Sequence, residues 1–300
     1  MKSRMYRMFV GFICLTSFTV PFSAAASASS EAYAHPRLGK HLHELTMGLN
    51  PCVLFLGTHG ASAISHNCGR TWSRIPALNG IDAMEATMSP NGRIIGVAGH
   101  VGARMSFDGG VTWKNVSQTL PANDVHGFGF DLKNPQRLVA YVVGHGVYES
   151  RDDGGHWTPL APLPEANPMS MMAMTMGDIV VQGNRIMLPS MAAGIYVSVD
   201  DGKTWRVEGT HVIGMNLHAS PGNPRRLVYS GMPETGMFVS ADGGHTWKNY
   251  PLPLGALVAG PLSGNTLYAA GYDNRRPYLW RSEDDGHTWK RVALPWTGTW

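Results

Sequence analysis

Histidine and methionine recur at two fixed positions of an internal repeat. One series reads His59 (GTHG), His100 (AGHV), His145 (VGHG), Met191 (PSMA), Met232 (SGMP) and Tyr272 (AGYD); the other reads His43, Met84, His126, Met176, Met215 and Ala256. Imidazole and thioether are neutral ligands of copper, and thioether favours the reduced ion, so a ring of such side chains on one surface is suited to a soft metal. His41, His211, Met172 and Met174 extend the set. Other causes give the same patterns. Met172, Met174 and Met176 alternate as a strand packed between neighbours does, and a histidine after glycine suits a hairpin turn with unusual φ.

The repeat that sets these positions is an octapeptide, Ser-x-Asp-x-Gly-x-Thr-Trp. Its six copies begin at Ser65, Ser106, Ser150, Ser198, Ser240 and Ser282, at steps of 41, 44, 48, 42 and 42 residues. That period is the length of a four-stranded propeller blade. The aspartates (Asp108, Asp152, Asp200, Asp242, Asp284) supply an acceptor for backbone N–H groups, and the glycine tolerates unusual φ. Asn67 replaces the Asp in the first copy and His156 the Thr in the third. Six of the nine tryptophans (Trp72, Trp113, Trp157, Trp205, Trp247, Trp289) close the copies, each expected to bury its ring as a strand begins.

These copies resemble the Asp-box, or bacterial neuraminidase, repeats of sialidases, other glycosidases, sortilin-type receptors and the photosystem II assembly factor. The resemblance implies an all-β, six-bladed β-propeller of antiparallel blades over residues 41–300. Each repeat reads as an inner strand A, a turn, strand B, a hairpin, strand C, the octapeptide and strand D. In the first repeat these are His43 to Met47, Val53 to Thr58, Ala61 to Ser65 and Thr71 to Ile75. With every repeat running A to D, the ring closes by packing of blade six on blade one, helped by the tail from Pro295 to Trp300. A–B turns and octapeptides share one rim; B–C hairpins and D–A loops share the other, which carries both His/Met series.

The resemblance also allows glycoside hydrolysis, which needs facing carboxyl groups. Glu44, Asp82, Glu85, Asp124 and Asp178 lie near the starts of inner strands, and Glu234 on a B–C loop. A sialidase-like site further needs three arginines that clamp the substrate carboxylate. Arg93, Arg137, Arg225 and Arg226 fall on the other rim, leaving Arg104, Arg275 and Arg276. Arg74-Ile75-Pro76 follows the first octapeptide, where sialidases have this tripeptide ahead of it. The first reading is therefore a non-catalytic binding or assembly factor that holds a protein partner, or a soft metal such as copper; the alternative is an exo-sialidase-like hydrolase acting on a glycan.

Charge excludes some classes. The 24 basic and 21 acidic residues give a net +3, and no basic run suggests nucleic acid. Lys2, Arg4 and Arg7, an apolar stretch to Ala26 and the small residues Ala26-Ser27-Ala28 read as a secretory signal peptide over 1–28, with an extension over 29–40. The expected product is an exported, periplasmic or extracellular monomer. Cys52 and Cys68 flank the first B–C hairpin and are expected to form a disulfide there, the alternative being two free thiols.

Overall fold

The computed structural model describes residues 42–164, 177–190, 193–209, 214–230, 236–273 and 276–292. The signal-peptide and extension readings and the tail from Pro295 lie outside them. Six four-stranded units follow one another, and in each the sheet order is the chain order, so the protein is a six-bladed β-propeller. The inner strands are Leu42–Met47, Glu85–Met88, Val125–Phe130, the pair Gly177–Asp178 and Val180–Gln182, Asn216–Ser220, and Ala256–Ala259. Among the described residues no helix is long and apolar enough to cross a membrane.

Alternation of side chains along each B strand puts successive residues on opposite blade faces. Leu54 and Leu56 face blade six while Phe55 faces blade two; Leu227 and Tyr229 face blade four while Val228 faces blade six. Both faces are buried, so these strands are apolar throughout. Six cores result, one at each junction between neighbouring blades. The ring closes through the core that joins Leu42, Leu45 and Leu56 to Val258, Tyr268 and Leu279, and Ser263 Oγ donates to Leu49 O across the same junction.

Blade four departs from the regular plan. Its inner strand is split, and Gly177–Asp178 pairs in parallel with the inner strand of blade three. The approach is possible because Gly129 faces it: a Cβ there would lie 1.8 Å from Ile179 O. The split strand thereby brings Asp178 to the inner strand of blade two, where the Ala86 backbone N–H points at its carboxylate.

The octapeptides are hydrogen-bonded turns on the outside of the ring. In all six the Ser Oγ accepts from the Gly N–H at 2.7–2.9 Å. Each Asp Oδ1 accepts from the backbone N–H four residues on at 2.8–2.9 Å. The Thr hydroxyl donates to Oδ2 at 2.5–2.6 Å. Both deviant copies keep the pattern: Asn67 Oδ1 accepts from Thr71 N and its Nδ2 donates to Thr71 Oγ1, and His156 Nδ1 lies 2.6 Å from Asp152 Oδ2. Two expectations need correcting. The six tryptophans are half-buried, because the D strand they introduce is the outer edge of its blade, and that strand starts one residue after the ring. Cys52 and Cys68, which are bonded to each other, lie beyond the ends of the B–C pair, since Leu54 already pairs with Ser65. The bond ties the A–B turn to the octapeptide.

Hydrogen bonds from the Thr hydroxyl and then the Thr N–H hold Asp108, Asp200 and Asp284 at about 2, below the ordinary carboxylate range. A depressed folded-state pKa contributes stability that is complete above the unfolded value of about 3.9 and is lost as pH falls towards about 2. Urea midpoints are therefore expected to fall between about pH 4 and about pH 2, and less steeply in an Asp108→Asn/Asp200→Asn/Asp284→Asn variant. Equal slopes for variant and parent would refute this role. Asn67 indicates that the carboxamide preserves the turn.

Candidate metal-binding rim

Blades one to three bring four histidines and two aspartates together on the B–C rim. His59 and His100 come from B–C hairpins, His43 and His126 from inner strands, and Asp82 and Asp124 from the D–A loops that lead into blades two and three. Asp82 reaches its place because Gly99 lets the loop cross the end of strand B: a Cβ on Gly99 would lie 2.0 Å from Asp82 O. Asp82 Oδ2 then stands 3.5 Å from both His59 Nε2 and His100 Nε2. The rings form a chain, with centroids 4.4 Å apart for His43 and His59, 6.0 Å for His59 and His100, and 4.9 Å for His100 and His126.

Two ligand groups result. In His43, His59 and Asp82, and again in His100, Asp124 and His126, one ligand atom from each residue lies within 4.8 Å of the others. The second group is tighter. Asp124 Oδ1 is 2.9 Å from His100 Nδ1 and 2.9 Å from His126 Nε2, and the two nitrogens are 3.1 Å apart. Metal bonds of about 2.0–2.1 Å meeting near right angles put ligand atoms about 3 Å apart. Burial holds the His126 imidazole below its ordinary range although Asp124 pulls the other way, which keeps it in the neutral form that ligates. His100 and Asp124 have side chains 47% and 43% exposed, so the group is open to solvent on one side.

The rim differs from the sequence expectation in composition. His43, His59, His100 and His126 converge, but His145 is exposed and belongs to neither group. Its place is taken by carboxylates that the sequence reading assigned to glycoside chemistry. Met84 is buried and Met215 half-buried; Met176, Met191, Met232, His41, His211, Met172, Met174, Glu234 and Arg275 lie outside the described residues. Glu44 and Glu85 are 0% and 2% exposed, out of reach of a sugar ring. Arg137 and Arg226 are engaged on the opposite rim by Glu149, Asp201 and Asp285. A third, buried group, Glu44, Asp178 and His218, lies among the inner strands. His218 and Asn216 were missed because the repeat alignment sampled only Met215 at the start of that strand; the alternation Asn216-x-His218 was the available signal.

No protein-family model and no curated protein matches the chain. Among solved structures it is similar to YCF48 from Cyanidioschyzon merolae, with a TM-score of 0.52 and 14% identity over 84% of this chain and 85% of that one. The WD40 repeats of RRP9 give 0.52 and 10% over 84% and 79%. A YCF48 bound to D1 peptide gives 0.49 and 16% over 69% and 67%. At these identities the likeness is one of fold.

Proposed function

We propose that the chain is an exported, non-catalytic binding factor whose B–C rim holds a divalent transition-metal ion at His100, Asp124 and His126, with open positions for a protein partner. The observation that carries the reading is the triangle of ligand atoms at 2.9, 2.9 and 3.1 Å. Two ring nitrogens carry at most one proton each, so hydrogen bonds satisfy two of its three edges; one cation satisfies all of them. A carboxylate in the set moves the preference from reduced copper towards oxidised copper or zinc. The neighbouring His43, His59 and Asp82, reached through the other nitrogen of His100, extend the site.

Titration with copper(II) or zinc against a competing chelator tests this. Removal of a ligand is expected to weaken binding at least about 100-fold in His100→Ala, whose side chain is half exposed, so that the fold survives. His145→Ala is expected to bind as the parent does. Protons compete for imidazole, so affinity is expected to drop between about pH 7.5 and about pH 5.5, either side of the ordinary His value of about 6.5. Equal affinity of His100→Ala and parent at both pH values would overturn the site.

A further inference from the structure

Inside the ring, below the rim, a group of ionisable side chains is left without the counter-charges its burial demands. Glu44, Glu85, Asp178 and His218 are 0%, 2%, 3% and 4% exposed. His218 stands between two carboxylates, with Nδ1 2.7 Å from Asp178 Oδ2 and Nε2 3.4 Å from Glu44 Oε1. Asn216 Nδ2 donates to Glu44 Oε2 at 2.8 Å. The backbone N–H groups of Leu45, Gly177 and Ala86 point at Glu44, Glu85 and Asp178, yet Glu44 Oε1, Glu85 Oε2, both Asp178 oxygens and His218 Nε2 have no hydrogen bond of ordinary geometry.

Such a set, if ionised, needs a counter-charge. Three ionised carboxylates in a dry interior cost several kcal/mol each unless neutralised. A neutral imidazole donates to one carboxylate only, which leaves its other nitrogen lone pair facing acceptor oxygens. Protons on the carboxyl groups bridge atoms in pairs, whereas one ligand atom each from Glu44, Asp178 and His218 lies within 4.8 Å of the other two. We infer that Glu44, Asp178 and His218 bind a divalent cation within the ring, separate from the rim site.

The chemistry of the set narrows the ion. Calcium asks for six to eight oxygens and magnesium for a largely hydrated octahedron, whereas two carboxylates with one imidazole suit zinc or manganese(II). A cavity of about 40 Å³ among the inner strands, lined by Thr46, Thr87, Gln182, Asp178 and His218 among others, has room for a few waters to complete the coordination. The ion would join blades one, four and five, a role distinct from the open rim.

The test uses the purified chain carrying His59→Ala and His100→Ala, which silences the rim. After loading with zinc chloride and passage over a mild chelating resin, elemental mass spectrometry is expected to find one zinc per chain, and calorimetry a melting point above that of the stripped protein. Adding Asp178→Asn and His218→Gln is expected to abolish both. Should that variant fail to fold, cobalt(II) loading of the rim variant decides: absorption bands of a coordinated, imidazole-bound ion support the site. A folded rim variant with no retained zinc, no shift in melting and no cobalt bands overturns it, as does zinc retained by a folded four-fold variant. Failure of the rim reading is read separately, from parent against His100→Ala.

Discussion

Gly129→Ala is expected to destabilise the ring by about 3 kcal/mol, the upper end for over-packing a core, because the added methyl meets backbone that cannot swing aside. Its Cβ would lie 1.8 Å from Ile179 O and 2.8 Å from the carbonyl carbon. Ile179 N donates to Phe128 O beside it at 3.0 Å, so relief requires parting the inner strands of blades three and four. Asp178 sits on the strand that would move, so the substitution is also expected to weaken metal retention inside the ring. A urea titration of the variant checks the first effect; a midpoint equal to that of the parent would show that the two strands are not held this close.

Trp205→Ala is expected to cost about 2–4 kcal/mol, less than a fully enclosed tryptophan, because the ring is half-buried. The loss has two parts. The ring packs into the core between blades three and four, and its Nε1 donates to Ala161 O at 3.0 Å, while Gly202 O accepts from Ala161 N at 3.0 Å. The fourth octapeptide thus clasps the outer edge of the preceding blade. Trp205→Phe keeps most of the packing and loses the hydrogen bond, for a cost nearer 1 kcal/mol. Denaturant midpoints ordered parent, Phe, Ala are the expected result. An alanine variant as stable as the parent would remove the clasp.

What could be read from the sequence follows the range of the interactions. The octapeptides, their period and the alternating B strands are local signals, and they place the blades, the rims and the ring closure. His59, His100, His43 and His126 were legible as equivalent repeat positions. The same equivalence misled at His145, because a repeat position fixes the strand and the rim but not which side chains meet. Asp82 and Asp124 stood out as carboxylates, yet their pairing with imidazoles depends on D–A loops crossing the next blade. The fully non-local features were out of reach: nothing near Gly129 announces that Ile179 will lie against it, and His218 meets Glu44 only once blade five stands opposite blade one.

The closing core has a consequence for synthesis. Leu42, Leu54 and Leu56 leave the ribosome early, but Tyr268 and Leu279, which cover them, are made last. At about 5–20 residues per second the first blade spends roughly 10–40 s with one apolar face wet. It is a single sheet, and a lone four-stranded sheet with an open face is prone to pair with other chains. The Cys52–Cys68 bond spans only 16 residues, all within that blade. It can therefore form as soon as the first blade reaches an oxidising compartment, whether or not the last blade has docked, and hold the first sheet in register until that blade arrives.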